Sequence, residues 1–91
     1  MSFTIKYHEL VVKNDIPRLS ALMRKRIRRA IEERLMTQPE LYGKPLRRSL
    51  HGYRKLRVGD YRVIFKIEKT AVKVLMIEHR SVVYQNIWKR I

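Results

Sequence analysis

A chain of 91 residues allows a single domain with one modest core, and 22 Lys and Arg against 8 Asp and Glu give it a formal net charge of +14. Self-repulsion opposes such an excess and a polyanionic partner relieves it: nucleic acid ranks first, an acidic protein second, and a membrane surface last, for want of a long amphipathic basic helix. The absence of cysteine excludes disulfides and thiolate zinc sites, no apolar run approaches the roughly 20 residues of a membrane span, and MSFTIKYHEL lacks a leader pattern, so the expected location is cytoplasmic.

Phe3 to His8 alternates Phe3, Ile5 and Tyr7 with Thr4, Lys6 and His8, the period of a strand with one buried face. Glu9 to Lys13 is expected to form a helical turn or two. Asn14-Asp15-Ile16-Pro17 should break or cap it, because the residue before a proline avoids the helical region. Ser20 suits the N-cap of a long helix. Met23, Ile27, Ala30, Ile31 and Leu35 recur at three- and four-residue intervals along it, one apolar stripe among charged faces. Thr37-Gln38-Pro39 ends this helix, and Glu40 to Ser49 reads as a loop around Gly43 and Pro45.

Tyr53 to Val58 and Tyr61 to Ile67 read as two strands joined by Gly59-Asp60, a two-residue type II′ turn with glycine at its first central position. Val72 to Ile77 is a continuous apolar run, as in a central strand covered on both faces. Ser81 to Ile91 is a short tail, helical or not, carrying Tyr84 and Trp88. The order is β-α-α-β-β-β with a tail, an α+β domain over 1–91 with helices on one sheet face.

The hairpin register follows from the turn. Val58 faces Tyr61, Arg57 faces Arg62, Leu56 faces Val63 and Lys55 faces Ile64, and cross-strand partners share a face. Leu56, Val58, Tyr61, Val63 and Phe65 then form the core face. Tyr53, Lys55, Arg57, Arg62 and Lys66 lie opposite, with Ile64 among them. Two arginines directly opposed cost a sheet a few tenths to roughly 1 kcal/mol. A charge-rich strand face is often merely solvated, but a cationic strip with an aromatic is what phosphate and base recognition needs. His79-Arg80 ends the last strand, with Tyr84 four residues on. Arg24, Lys25, Arg28 and Arg29 are open between a second nucleic-acid contact and the solvated face of a helix, and Arg26 reads as solvated face. His8, His51 and His79 lack metal-ligand spacing, and no phosphate-binding glycine loop or nucleophile elbow occurs, so neither metal nor cofactor is expected.

The run Gly52-Tyr53-Arg54-Lys55-Leu56-Arg57-Val58-Gly59-Asp60-Tyr61-Arg62-Val63-Ile64-Phe65 resembles the hallmark strand pair of the RelE/ParE toxin superfamily. Upstream Pro39…Tyr42-Gly43-Lys44-Pro45-Leu46 and downstream His79-Arg80…Val83-Tyr84 fall in the same order. The resemblance implies a microbial-ribonuclease-like domain. Its four-stranded, mostly antiparallel sheet has the first strand parallel beside the last, two N-terminal helices on one face, and a short C-terminal tail or helix. It also implies the toxin of a type II toxin–antitoxin pair, held by a cognate acidic antitoxin. The implied activity is ribosome-dependent cleavage of mRNA in the A site by attack of a ribose 2′-OH on the adjacent phosphate.

Carried over by position, Lys55 matches a catalytic lysine, Arg62 a phosphate-binding arginine and Arg80 the arginine near the leaving group. Tyr84 matches the tyrosine that orients or stacks on the nucleotide. Tyr53, Arg54, Arg57, Lys66 and His79 are expected to contact RNA. Tyr53 stands where some members carry a second lysine, which leaves the general base open. Arginine cannot accept a proton at neutral pH, whereas a neutral lysine can. The scaffold is shared with ParE-type poisons of DNA gyrase, so gyrase poisoning and non-enzymatic RNA binding are the alternatives.

Overall fold

The computed structural model describes residues 2–91. Strand β1 (Thr4–Tyr7) leads into a π-helical turn, Val11–Asp15, and a 3-10 turn, Ile16–Arg18. Helix α1 (Ala21–Ala30) continues into a second π-helical turn, Ile31–Leu35. Then come α2 (Pro39–Tyr42), β2 (Lys44–Pro45), a 3-10 turn at Arg48–Leu50, β3 (Arg54–Val58), β4 (Tyr61–Glu68) and β5 (Ala71–His79). The chain closes with α3 (Val83–Asn86) and a 3-10 turn, Ile87–Lys89.

The sheet order is β1-β5-β4-β3-β2, with β1 parallel to β5 and every other pair antiparallel. The expected hairpin register holds, from Val58↔Tyr61 through Arg57↔Arg62 to Lys55↔Ile64. Gly59 takes the positive φ of 59° that the first position of a type II′ turn demands, and Asp60 does not share it. Ser20 Oγ accepts the Met23 amide at 3.1 Å, so it is the N-cap of α1. Ile27, Ala30, Ile31 and Leu35 are buried and Met23 packs against them, as the stripe requires.

The stretch from Glu40 to Ser49, expected as loop, holds most of α2 and the start of the Arg48–Leu50 turn. Three further features differ from expectation. The sheet has five strands rather than four, because Lys44–Pro45 lies within the stretch read as loop. The Leu46 amide donates to Tyr53 O at 2.9 Å, and Arg54 Nη1 donates to Gly43 O at 2.9 Å, drawing the segment alongside β3. Pro45 is tolerated there because β2 is the outer strand. The helical segment does not break at Asn14–Pro17. Its wide turn runs through Asp15, where the Ile16 amide closes on Val11 O, and Pro17 sits in the first positions of the next turn, where its missing N–H costs nothing. Tyr7 is 41% exposed instead of buried, since β1 is the opposite edge strand; Phe3 and Ile5 are half-buried against the core.

The central strand β5 serves two cores. Ile64 pairs with Met76 and Phe65 with Val74, which leaves Leu75 as a bulge without a β4 partner. Val72, Val74 and Ile77 join the core under the two helical segments. Leu75 and Met76 join Ile64, Val83 and Ile87 in a smaller core on the other face, packed by Leu46, Leu50 and Tyr53. The isolated Ile64 of the cationic face is therefore the seat for the C-terminal tail.

Beyond Tyr7↔Val74, β5 has no strand on its β1 side. A buried ion pair takes over its main-chain groups. Asp15 Oδ2 accepts the Ile77 amide at 2.9 Å, and Arg90 Nη1 donates to Leu75 O at 2.8 Å. The two side chains meet in a fork, Nη1–Oδ2 2.9 Å and Nη2–Oδ1 3.1 Å, with exposures of only 3% for Asp15 and 7% for Arg90.

Candidate nucleic-acid interface

An open depression of about 490 Å³ lies at the hairpin end of the sheet, lined by Lys55, Arg62, His79, Arg80, Ser81 and Tyr84. Each wall has a local cause. Lys55 pairs with Ile64, two residues from Arg62, so the lysine and the arginine are diagonal neighbours on one sheet face. Tyr84 is carried by α3, which Val83 and Ile87 bury onto that face. Lys55 Nζ stands 5.7 Å from the centroid of the Tyr84 ring, within the range of a cation–π contact.

Arg62 is buried, at 9% exposure. Its Nη1 donates to the carbonyls of Gly59 at 3.0 Å and Tyr61 at 2.9 Å, which fixes the guanidinium against the turn. Among the described residues no other acceptor meets it, so its remaining donors are free for the depression. Arg80 is held more loosely. Its amide donates to Asp60 O at 2.8 Å, while its exposed Nε lies 3.7 Å from Asp60 Oδ1.

The Ser81 amide donates to His79 Nδ1 at 3.1 Å, and Ser81 Oγ lies 2.8 Å from the same nitrogen. With Nδ1 an acceptor, the neutral ring carries its proton on Nε2. The Tyr61 ring meets the imidazole edge-on at 5.6 Å and 81°. Glu78 pairs opposite Arg62 in the sheet, but its carboxylate is occupied by Asn86 Nδ2 at 3.0 Å to each oxygen. The carboxylate beside Arg62 in the sheet is thus engaged in tethering the tail.

The other expected RNA contacts fall outside this depression. Tyr53 and Lys66 form their own pair on the same face, Lys66 Nζ 5.7 Å from the Tyr53 centroid, and Tyr53 packs on the smaller core. Arg54 is spent on the chain itself, its Nη1 donating to Glu40 O and Gly43 O at 3.3 and 2.9 Å. Arg57 is exposed and lines a separate concave surface with Arg26, Arg29 and Arg34 of the long helix. Arg24, Lys25 and Arg28 flank the exposed Leu22 further round that helix. Ser81, Asn86, Asp15 and Arg90 went unmarked in the sequence reading. Only Ser81, two residues beyond His79, carried a local signal, since a serine there can bond back to the imidazole.

Among the described residues, no three His, Cys, Asp or Glu side chains cluster as a metal site, and no helix is long and apolar enough to cross a membrane. The arrangement offers fixed cations and an aromatic ring, 37% exposed, around one open space. That combination holds a phosphate and stacks an unpaired base.

The family model of the ParE toxin of type II toxin–antitoxin system, parDE, matches residues 6–84. The chain belongs to the RelE/ParE toxin family. Toxin RelG of Mycobacterium tuberculosis is 42% identical to it over 53 residues, covering 56% of this chain and 61% of the relative. Toxin RelE of the same organism is 40% identical over 53 residues, covering 56% and 55%. The chain therefore spans a little over half the length of these curated relatives. Among solved RelE/ParE structures, the toxin–antitoxin complex RelBE2 from Mycobacterium tuberculosis superposes with a TM-score of 0.81 at 28% identity, over 88% of this chain and 100% of that one. A RelE variant from E. coli in the free state superposes at 0.74 and 23% identity, over 100% and 99%, a likeness of fold. The parallel pairing of first and last strands, expected from the RelE/ParE resemblance, is present as β1 beside β5.

Proposed function

We propose that this chain is the toxin of a type II toxin–antitoxin pair and that it cuts messenger RNA in the ribosomal A site. The observation that carries the reading is the single depression in which Lys55, Arg62 and Arg80 surround the Tyr84 ring. A ribose 2′-OH loses its proton and attacks the adjacent phosphorus, and negative charge builds on the non-bridging oxygens. The bond to the 5′-oxygen breaks to leave a 2′,3′-cyclic phosphate and a 5′-hydroxyl, the departing oxygen taking its proton from solvent. Arg62, held rigid by the turn carbonyls, stabilises that charge without reorganising, which is the most effective form of such stabilisation. Arg80 stands at the rim for the departing oxygen. Tyr84 stacks on the nucleotide beside the scissile bond. Lys55 in its neutral form takes the 2′-OH proton, or in its charged form adds to the phosphate clamp.

The reading places the protein in the cytoplasm with the ribosome and mRNA as partners and a cognate acidic antitoxin as its restraint. The +14 charge and the relative solved as a toxin–antitoxin complex support the last of these. Primer extension on a translated message tests the activity. Discrete in-frame cuts that need the ribosome are expected, and they should persist with a chelator at levels that leave the subunits intact. A second reading is poisoning of DNA gyrase, favoured by the ParE description of the matching family. Intact mRNA with cleaved plasmid DNA would replace the first reading with it.

A further inference from the structure

Tyr84 reaches its place through a tail that has few attachments. Val83 and Ile87 are fully buried, Asn86 is tied to Glu78, and the far end is fastened by Arg90 to Asp15. That last attachment is unlike the others. Asp15 belongs to the helical segment that follows β1, whereas the tail packs on the opposite face of the sheet. Arg90 therefore reaches round the bare edge of β5 and joins the two layers. The pair is fully composed: Asp15 also accepts from the Ile77 amide and from Asn14 Nδ2 at 3.1 Å, and Arg90 also donates to Leu75 O.

Desolvating a carboxylate and a guanidinium is costly, and an apolar pair of similar volume often holds a fold as well or better. What an apolar pair lacks is direction. The fork fixes Arg90 to one orientation and one height along β5, at the bulge where Leu75 leaves the β4 register. The rise from there back to Tyr84 is six residues of continuous helical turns, Val83–Asn86 and Ile87–Lys89. Fixing Arg90 thus fixes the azimuth and height at which Tyr84 meets Lys55.

We propose that Asp15 and Arg90 are positioning residues that act through the tail to hold the Tyr84 ring over Lys55. The rate consequence rests on the RNA-cleavage reading; the geometric one does not. The test has two arms on the full chain. In the first, the side-chain ε-methylene proton shifts of Lys55 report the ring current of Tyr84, with Tyr84→Leu as the zero reference. Arg90→Met is expected to move those shifts most of the way to the Tyr84→Leu values while the β-sheet amide shifts stay in place. In the second, ribosome-dependent cleavage by Arg90→Met is expected to lose kcat by about 10- to 100-fold, with a smaller change in KM, as misplacement of an orienting group does. Arg90→Lys keeps the charge but not the fork, and should recover part of both losses. If Arg90→Met does not fold, Arg90→Lys alone decides: intermediate shifts and rate support the latch. Wild-type Lys55 shifts in the variant overturn it, as does an unchanged kcat in an enzyme that cuts. If the wild type cuts no RNA, the cleavage reading fails and the Lys55 shifts still decide the latch.

Discussion

Arg57 and Arg62 face each other across the β3–β4 hairpin, yet one is exposed and the other is 9% exposed with its Nη1 bonded to Gly59 O and Tyr61 O. The two side chains part: Arg57 lies exposed on the open surface that Arg26, Arg29, Glu33 and Arg34 also line, while Arg62 folds under the turn and lines the depression with Lys55 and Tyr84. One arginine is built into the fold and the other decorates it.

The two should separate cleanly on mutation. Arg62→Ala is expected to slow RNA cleavage by about 100- to 1000-fold, or about 2.7–4 kcal/mol of transition-state stabilisation. It should also lower stability by about 1.5–3 kcal/mol, because charged hydrogen bonds are lost in a buried place. Arg57→Ala should leave stability within about 0.5 kcal/mol of wild type. Growth arrest, cleavage rate and urea denaturation on the same set of variants check all three. Arg62→Lys, which keeps the charge and part of the burial, distinguishes a lost cation from a weakened fold. Full toxicity of Arg62→Ala at equal expression would refute the site assignment.

Gly43 sits where a side chain has no room. A Cβ there would lie 2.1 Å from Phe65 Cζ and 2.8 Å from Cε1, and Phe65 is fully buried at the heart of the larger core. Gly43→Ala must displace that ring. Overpacking of this kind costs about 1–3 kcal/mol, read as a lower denaturant midpoint with the slope preserved. A midpoint equal to wild type would show that α2 and β2 yield without disturbing Phe65.

The hairpin was legible because a two-residue turn leaves no freedom: once Gly59-Asp60 is the turn, every pair from Val58↔Tyr61 to Lys55↔Ile64 follows. Helix α1 was legible from Ser20 and its apolar stripe, and the fold as a whole from the family's strand pair. Strand β2 was not, because Lys44 and Pro45 come to lie against Lys55 and Arg54 through bonds at the flanking residues, from the Arg54 side chain to Gly43 O and from the Leu46 amide to Tyr53 O. Of the site, Lys55, Arg62, His79, Arg80 and Tyr84 do converge. Arg54 does not, since a basic residue in a strand reads the same whether it faces solvent or caps a loop. Asp15 and Arg90 are 75 residues apart, and no local pattern joins them.

Ser20 offers a test of local stability that should leave chemistry alone. It lies on the helical side of the sheet and caps α1 through the Met23 amide. Ser20→Ala is expected to cost about 1 kcal/mol of stability, while Ser20→Asp should retain most of it. Neither should change the cleavage rate of the folded protein. A rate loss in Ser20→Ala at a temperature where it is fully folded would place α1 in the functional surface.

Tyr7 gives the fold an alkaline sensitivity. Its pKa is raised from 10.0, first by the partial burial of its side chain against the helical layer and then by Glu32, with Arg28 opposing. Both folded and unfolded chains keep the phenol protonated below about pH 10, so the stability it confers is intact there. Above that, the unfolded chain releases the proton first, and stability falls as pH rises through the folded value. Tyr7→Phe cannot release a proton, so its denaturation midpoint should fall less than that of wild type between neutral and strongly alkaline pH. Glu32→Gln should let Tyr7 ionise earlier, seen as tyrosinate absorbance appearing at lower pH. Equal alkaline losses in wild type and Tyr7→Phe would contradict the assignment.

Association with an acidic antitoxin should be fast and should weaken steeply with salt, as a net charge of +14 requires. Where the antitoxin sits decides which cations carry that slope. If it masks the cationic face, its carboxylates meet the exposed Arg57 and Arg80, and the double variant Arg57→Ala/Arg80→Ala should bind more weakly and with a shallower salt dependence. Both side chains are exposed, so the fold survives their loss. If it acts instead by displacing the tail, that double variant should bind nearly as wild type does, and Tyr84→Ala should alter the affinity. Titration calorimetry at two salt concentrations separates the cases. Masking is the expected outcome, because Arg57 and Arg80 are both exposed and neither side chain is engaged by a buried acceptor. Wild-type affinity and slope in both variants would move the interface to the helix face at Arg24, Lys25 and Arg28, where charge neutralisation should then produce the shallower slope.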